Sequence, residues 1–488
     1  MKDFIDITYW RLGHLDEVSD PSDFYYVNLA RNLRDRIMSS PMGMKEEEMI
    51  CEELAMTLTY YLEDIVSGFE VWNTFTSKHM ELYGKILPFY SLDEKKYNRN
   101  SINKEDIAFL IWMVFQTTRS SSFINPENSC LIELSEDIYK VLKKELKKAP
   151  KNKELLKEMQ QKVACKDLYE LRDFISRFIS SSYLLHFFSE RHRLKLIQQL
   201  ESFFGEGLDD DLIDYAIQAS LSFTEKTGPL ALYPKDWIAA ILNSWGMTKD
   251  SQRIAKIEAL PHSMYLLKRV YKNNLQVVDL SGKGYLIRRD SFSSLSEDSL
   301  VCKTLCASLV KYGNEWLVNG MSSWMKEEEV YRQIEEEKRF ISENNKWIYE
   351  KVCEYGNGSP LLYFKNSSEF TTWLEENIGL DESFILPKDI KKIQKIAVFV
   401  DKENGLRCVP NGAYVIKDPH NPYYSKKYAE KEAFSMLASS SYFPKEMLDY
   451  LVEHNMLSDA CIKSMVSVER GRELVQENLD FIVRMLAE

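Results

Sequence analysis

Apolar residues recur at helical spacing through the first half of the chain. Tyr26, Leu29, Leu33 and Ile37 follow one another at intervals of 3, 4 and 4 residues, which places them on one face of an α-helix. Similar stripes return in several later segments, and Gly and Pro residues separate them. The pattern predicts an α-helical domain over residues 1–255.

The pattern changes near Pro261. From there to residue 324, apolar and aromatic residues form short runs that are separated by SGKG at 281–284 and YGN at 312–314. Short apolar runs between Gly and Asn clusters are typical of β-strands joined by tight turns. Residues 256–324 are therefore predicted to form a small antiparallel β module that curls into a barrel.

The remainder of the chain has a mixed pattern. Residues 325–350 are rich in Lys and Glu and carry a sparse apolar stripe, which predicts a charged connecting helix. Residues 351–488 combine short apolar runs, an Asn404-Gly405 turn and helical stripes, which predicts an α+β C-terminal domain. The predicted fold class is mainly α, with a helical N-terminal domain, a barrel-like antiparallel β module and an α+β C-terminal domain.

The composition is that of a folded chain. Of its 488 residues 44% are hydrophobic and 28% are charged, and the formal net charge is −12. The apolar share excludes a wholly disordered chain, and the negative charge argues against binding of nucleic acid or anionic lipid by the whole surface. No segment approaches roughly 18 uncharged apolar residues, so neither a membrane span nor a membrane partner is expected.

The cysteines and the first residues indicate a compartment. The eight cysteines are scattered and form no CxxC pair, as expected of reduced thiols in a chain of this size. Residues 1–10 include Asp3 and Asp6 and lack the apolar run of a secretion signal. We therefore expect a cytoplasmic protein.

The absence of several motifs narrows the chemistry. The sequence contains no G-x-G-x-x-G, G-x-x-x-x-G-K-[ST], G-x-S-x-G or H-E-x-x-H. These motifs position phosphates, nucleophiles or zinc, so the usual nucleotide-binding, hydrolase and metalloprotease sites are not expected. No cofactor is predicted, and the sequence does not decide whether the chain is an enzyme.

Two residue pairs have a spacing that suits metal ligands. His186 and Glu190 are four apart on a predicted helix, where two ligands share one face. Cys302 and Cys306 have the same spacing, but on a strand they would lie about 13 Å apart. Neither pair has further ligands nearby, so we predict an ordinary polar helix face, core thiols and no metal site.

The predicted β module has more basic than acidic residues. Residues 261–324 contain eight Lys or Arg against five Asp or Glu, with several tyrosines and Trp316 interleaved. Small barrels hold single-stranded nucleic acid between aromatic rings and cations, but aromatic residues also fill the cores of such barrels. We favour the core and keep Trp316 as a ligand candidate, with nucleic acid or a peptide as the ligand.

A second concentration of polar and aromatic residues is IKDPHNPYY at 416–424. Two prolines stiffen this loop before a predicted helix. Asp418, His420, Asn421 and Tyr424 are candidates to converge on a ligand, although Asp and Asn before Pro also begin ordinary turns. We favour a structural loop and retain these four residues as candidate ligand-binding residues.

Eight distinctive segments follow one another over most of the chain. They are PSDFYYVNL (21–29), YLEDIVS (61–67), YGKILPFY (83–90), FLIW (109–112), APKN (149–152), GNEWLVNG (313–320), KDPHNPYY (417–424) and ENLDFIVR (477–484). Together they resemble a family of uncharacterised proteins from gut-type Bacteroidetes. The resemblance implies a cytoplasmic bacterial protein and brings no activity and no catalytic residues with it.

Three hypotheses for the function remain. The missing motifs and the acidic, helical, aromatic-rich composition favour a non-enzymatic intracellular binding or scaffold protein that acts through protein–protein contacts. Its expected partner is another protein or a second copy of the chain, and nucleic acid is disfavoured. The alternatives are an enzyme of unrecognised class with its site near residues 418–424, and a nucleic-acid binder that uses the β module.

Overall fold

Helices follow one another up to residue 255, as the periodicity predicts. The computed structural model describes residues 5–14, 20–118, 123–204, 209–292, 295, 300, 303–325, 344–379, 394–437, 442–458 and 468–486. Within these residues the first part contains α1 (Ile7–Leu12), α2 (Asp23–Met38), α3 (Glu48–Ser67), α4 (Val71–Tyr83), α5 (Lys104–Thr118), α6 (Ser129–Glu145), α7 (Lys153–Val163), α8 (Leu168–Ser181), α9 (His186–Phe204), α10 (Asp210–Phe223), α11 (Pro234–Ser244) and α12 (Thr248–Ala255).

Local signals set the ends of these helices. Asp167 accepts hydrogen bonds from the backbone amides of Tyr169 and Glu170 at the start of α8, which satisfies two of the donors that a helix leaves free. Gly68 follows α3 in the left-handed conformation, with φ +77°, which a glycine adopts without steric cost. Such caps separate consecutive helices, so that their apolar faces can pack together.

The helical core centres on α5. Every residue from Asp106 to Gln116 is buried, so other elements surround this helix. Trp72 and Phe75 of α4 pack against Phe109, with ring centroids 6.0 and 5.1 Å apart. Burial of one such aromatic side chain contributes about 1.5–3 kcal/mol, so this cluster is a major source of stability for the helical part.

The β module is a closed five-stranded barrel. Its strands pair in the order β1-β2-β3-β5-β4, and β4 pairs back onto β1. All pairs are antiparallel except that of β3 with β5, which is parallel at Ile287 and Trp316. The strands are β1 (Glu258–Val270), β2 (Asn274–Val278), β3 (Gly284–Arg288), β4 (Thr304–Tyr312) and β5 (Glu315–Met325).

Alternate residues of the strands fill the inside of the barrel. Leu275 and Val277 of β2 and Tyr285 and Ile287 of β3 belong to its core, while their neighbours are more exposed. This alternation follows from the two-residue period of a strand. The other buried members of the core are Tyr265, Phe292, Leu305, Ala307, Leu309, Trp316 and Val318.

One side of the barrel packs on α10. Asn319 Nδ2 donates a hydrogen bond to the carbonyl of Ala219 at 2.9 Å, and the Tyr215 hydroxyl lies 3.5 Å from the carbonyl of Gly320. Gly320 has φ +85°, and a Cβ atom at this position would lie 2.7 Å from the Cβ atom of Ala219. Only glycine allows so close an approach of β5 to the helix.

The helices and the barrel form one unit, which covers residues 1–118 and 126–331, and residues 119–125 and 332–487 belong to a second unit. In the second unit the strands form an antiparallel sheet in the order β6-β7-β8. Its elements are α13 (344–355), β6 (Leu361–Asn366), α14 (Ser367–Asn377), β7 (Gln394–Asp401), β8 (Gly405–Val409), α15 (Lys426–Leu437), α16 (Lys445–Glu453) and α17 (Val468–Leu486).

The fold class is therefore mainly α, with a helical N-terminal part, a small barrel and an α+β C-terminal part, as the sequence predicts. Most of the predicted charged helix at 325–350 falls on residues 326–343, which lie outside the described residues, and residues 344–350 are helical. In the described ranges, no helix has both the length and the apolar character that crossing a membrane requires.

Candidate functional site

The outer surfaces of β1, β2 and β3 carry exposed side chains on one side of the closed barrel. Arg269 pairs with Gln276, and Gln276 pairs with Leu286, so these three residues form one row across the strands. Asn274 and Arg288 form the next row. The two rows, together with the segment 268–272 at the end of β1, are named the barrel face below.

The barrel face exposes apolar and aromatic side chains. Val270 and Tyr271 are 47% and 44% exposed, and Leu286 of β3 is 51% exposed. The Tyr271 hydroxyl donates a hydrogen bond to Gln276 Oε1 at 3.2 Å, which holds the phenol ring beside β2. Three large side chains exposed on one small barrel exceed the single, scattered ones that a protein surface normally shows, and such exposure indicates a candidate binding site.

The barrel face also carries positive charge. Lys268, Arg269 and Lys272 are exposed, and none of them has an ion-pair partner among the described residues. Arg288 differs because it is bonded to Asp290, and this bond raises the pKa of its guanidinium group. Three cations without carboxylate partners leave the end of β1 free to attract an anionic ligand.

Trp316, a ligand candidate from the sequence, lies inside the barrel. It is 9% exposed, and its ring meets that of Tyr285 edge to face, with 5.1 Å between the centroids. Edge-to-face pairs of this kind add stability beyond the area that they bury. The indole therefore belongs to the core and supports β3 from within.

The other four ligand candidates from the sequence lie in the loop at 416–424. The first of them, Asp418, is buried. It accepts a hydrogen bond from the Tyr363 hydroxyl at 2.7 Å and another from the backbone amide of His420 at 2.9 Å. Burial and the bond to Asp418 raise the pKa of Tyr363. The His420 ring lies beside Asp418, with Nδ1 3.2 Å from Oδ1, but its side chain is 91% exposed. Asp418 thus ties the loop to β6, and His420 extends into solvent.

Asn421 and Tyr424 have other partners. Asn421 Nδ2 donates to the carbonyls of Ala413 and Ile416 at 2.6 and 2.8 Å. The Tyr424 hydroxyl lies 3.1 Å from Ser458 Oγ. The structure thus brings Asp418 and His420 together. Asn421 and Tyr424 make separate contacts that hold the loop in place.

The residues considered as metal ligands are paired with other side chains, are buried as a free thiol, or lie outside the described residues. His186 Nε2 lies 2.9 Å from Glu53 Oε1, while Glu190 pairs with an arginine of the next turn. Cys306 is a buried free thiol on β4, and Cys302 lies outside the described residues. Within the described part of the chain, no three His, Cys, Asp or Glu side chains are grouped as a metal ion would require.

The helical part contains a buried ion pair that the sequence pattern does not predict. His14 Nε2 lies 2.8 Å from Glu63 Oε2. Burial lowers the pKa of His14, but the charge and hydrogen bond of Glu63 outweigh burial and raise it. The pair lines a cavity of about 40 Å³ with Tyr60, Ser182 and Tyr183, which has room for a few water molecules and not for a substrate. A separation of 49 residues leaves no local motif from which the pair could be predicted.

Comparison with known proteins identifies the family of the chain. The model of the protein family of unknown function DUF3843 matches residues 8–267 and 289–487. The chain belongs to the DUF3843 family. No curated protein and no solved structure matches this DUF3843 chain. The unmatched residues 268–288 contain β2, β3 and most of the barrel face, so membership of DUF3843 by itself assigns no role to that surface.

Proposed function

We propose that this member of the DUF3843 family is a non-enzymatic protein of the bacterial cytoplasm that binds single-stranded nucleic acid on the barrel face. One observation carries the proposal: three cations without an ion-pair partner among the described residues lie within 268–272 beside the exposed Val270 and Tyr271, and Leu286 of β3 is also exposed. Cations bind phosphates, and any base can stack on an aromatic ring.

The barrel architecture supports the proposal by analogy. Five-stranded Greek-key barrels of the OB type bind oligonucleotides on the outer face of their second and third strands and in adjoining loops. Here β2, β3 and the β1–β2 turn at 271–273 supply these elements. Because a fold alone does not determine function, the proposal depends on the side chains of the barrel face.

The overall charge of −12 is compatible with a local cationic site. Exposed charges more than about 10 Å apart are largely screened at 0.1 M salt, so distant carboxylates have little effect on the cations at 268–272. We expect weak binding that depends strongly on salt, with a dissociation constant of roughly 10⁻⁶–10⁻⁴ M at physiological salt.

The cysteines support the proposed compartment. Cys51, Cys130, Cys165, Cys306, Cys353 and Cys408 are all free thiols. Free thiols persist in reducing compartments, whereas secreted proteins of the same cysteine content usually form disulfides.

A titration of a labelled, mixed-sequence single-stranded oligonucleotide with the full chain tests the proposal by fluorescence anisotropy. We expect binding at low salt that weakens as salt rises. Tyr271→Ala should weaken binding by about 5- to 150-fold, because loss of one stacked base costs about 1–3 kcal/mol. Tyr442→Ala is the matched control, since Tyr442 is 43% exposed and lies in the second unit.

Two outcomes would contradict the proposal. One is the absence of a change in anisotropy at low salt with micromolar protein. The other is an equal loss of affinity in the two tyrosine variants, which would place the contact away from the barrel face.

A second candidate function, protein–protein contact, has its own observation. Leu12, Phe24, Met44 and Met49, which lie in or between the first three helices, are each about two-thirds exposed. Large apolar side chains of this kind stabilise a contact between proteins when a partner covers them. Light scattering should then detect a dimer that Phe24→Asp dissociates, and a monomer at all accessible concentrations would rule out self-association.

A further inference from the structure

Arg172 on α8 has a buried charge with no carboxylate partner among the described residues. The residue is 6% exposed, and its Nε and Nη1 atoms are buried with no hydrogen-bond acceptor among the described residues. Arginine stays protonated at all ordinary pH values, so it cannot escape the cost of burial by losing a proton. A buried, unpaired cation is costly, which makes this side chain unusual.

Two tyrosine rings flank the guanidinium group. Its central carbon lies over the ring of Tyr169 at 5.2 Å and over the ring of Tyr215 at 4.7 Å. Cation–π contacts of this kind stabilise the charge through the faces of the rings. They leave the in-plane N–H donors of Arg172 unused, and these donors are the ones that fit an oxyanion.

The backbone around Arg172 is fixed. The Ser222 hydroxyl donates a hydrogen bond to the carbonyl of Arg172 at 3.0 Å, which joins α8 to α10. Tyr215 in turn reaches β5 of the barrel at Gly320. The guanidinium group, between Tyr169 of α8 and Tyr215 of α10, therefore lies between two helices whose backbones are joined here.

Tyr169 separates the guanidinium group from solvent and is itself 37% exposed. Burial raises the pKa of Tyr169, and charges on Arg288 and Asp290 of the barrel also act on it. The carboxylate of Asp290 is bonded to Arg288 at 2.8 Å, so it is not free to pair with Arg172. Arg172 therefore has no carboxylate partner among the residues that the structure describes.

We propose that Arg172 binds the phosphate group of a ligand, with two oxygens on its N–H donors and the two tyrosine rings against its planar faces. A guanidinium group recognises phosphate in this two-pronged geometry, which the single ammonium group of a lysine does not reproduce. This site is separate from the barrel face and does not depend on nucleic-acid binding there.

Inorganic phosphate is the probe for the test. The full chain is titrated with phosphate against chloride at matched ionic strength, with melting temperature and ³¹P line width as readouts. We expect a saturable rise in melting temperature and line broadening for the wild type, at least tenfold weaker binding for Arg172→Lys, and no response for Arg172→Met. Arg177→Met is the matched control, because Arg177 lies on the same helix, is half-exposed and pairs with Asp173.

The same variants separate a binding site from a structural arginine. In chloride alone, Arg172→Met should melt no lower than the wild type, since replacing an unpaired buried charge by an apolar side chain is neutral or stabilising. A fall of many degrees in chloride, or an unchanged phosphate response in both Arg172 variants, would overturn the proposal. Failure of Arg172→Met to fold in chloride counts as such a fall and would overturn the proposal in the same way.

Competition identifies the source of the phosphate group. Displacement of inorganic phosphate by adenosine monophosphate would indicate a free phosphate monoester. Displacement by an oligonucleotide without terminal phosphates would indicate the backbone of a strand. Displacement by neither would overturn the assignment to phosphate esters.

Discussion

The loop at 416–424 and the barrel face concentrate polar and aromatic side chains, and they use them in opposite ways. In the loop, Asp418 and Asn421 are buried and direct their hydrogen bonds to Tyr363 and to backbone groups. On the barrel face, Tyr271 and the neighbouring cations at 268–272 are largely exposed. The polar side chains of the loop are thus explained by the hydrogen bonds that stabilise its fold. The exposed side chains of the barrel face are not explained in this way.

This contrast has a physical basis. A buried polar group without a partner costs about 1–3 kcal/mol. The loop can therefore bury Asp418 and Asn421 only because both side chains form hydrogen bonds. No such condition applies to Val270 or Leu286, whose exposed apolar surface gains nothing from contact with water. A feature that folding does not require is the better place to look for a ligand.

The largest effect is expected from removing the core beneath the barrel face. Trp316→Ala should lower the free energy of unfolding by about 3–5 kcal/mol, because it leaves a cavity in the barrel. Hydrogen exchange of barrel peptides measures the loss locally. Tyr271→Ala, on the exposed side, should change stability by less than about 0.5 kcal/mol, and an equal loss in both variants would place the Tyr271 side chain in the core.

The buried carboxylates of the helical core should make stability depend on pH. Burial raises the pKa values of Asp64 and Asp106 from 3.8 to about 7. The folded state therefore holds protons that the unfolded chain releases, so their contribution is full below pH 3.8 and is lost as pH rises to about 7. Each pKa unit corresponds to about 1.4 kcal/mol.

Urea unfolding at several pH values checks this prediction. The free energy of unfolding should fall by a few kcal/mol between about pH 4 and 7, and Asp106→Asn should remove about half of that fall. Asp106 accepts hydrogen bonds from the Tyr61 and Tyr97 hydroxyls and from Asn103, which favour its charged form and oppose the larger effect of burial on its pKa. Stability that rises over this range in the wild type would refute the assignment.

Within the loop, Asn421→Ala should destabilise the second unit by about 2–3 kcal/mol, because it leaves two buried carbonyls without a donor. His420→Ala is the control and should change stability by less than about 0.5 kcal/mol, since the ring is exposed. Urea unfolding followed by circular dichroism measures both changes. If the two variants behave alike, the loop is not held by its buried bonds.

The smallest effect concerns a single charge. Arg269→Gln should reduce the slope of log binding constant against log salt by about 0.7, the value for one phosphate contact on a single strand. Lys311→Gln is the matched control, because Lys311 already pairs with Glu258. A slope that changes equally in both variants would indicate a general effect of net charge and no contact at Arg269.

The helices and the positions of the barrel strands along the chain could be predicted from the sequence because their signals are local. The stripe from Tyr26 to Ile37 lies on α2, and the turn sequences at 281–284 and 312–314 fall between consecutive strands. The start of α2 is harder to predict. Asp followed by Pro, as at 20–21, is typical of a helix cap and its first residue, but Asp20 accepts a hydrogen bond from Ser22 N and the helix begins at Asp23.

The barrel face could not be predicted because it depends on strand register. The pairing of β1 with β2 is irregular between Leu267 and Arg269, and three consecutive residues, 268–270, are exposed there, against the alternation that a strand pattern assumes. The sequence pattern also gives no reason to choose Tyr271 over Trp316, although the first is exposed and the second is in the core. Only the closed barrel distinguishes them.

Photo-cross-linking shows which residues of the chain contact a bound single strand. A single-stranded oligonucleotide that carries 5-iodouracil is bound to the full chain at low salt, irradiated and digested, and the cross-linked peptides are sequenced by mass spectrometry. Binding on the barrel face predicts cross-links in the peptide that contains Tyr271 and their loss in Tyr271→Ala. Cross-links confined to the second unit or to the helices, or none at all, would contradict the account.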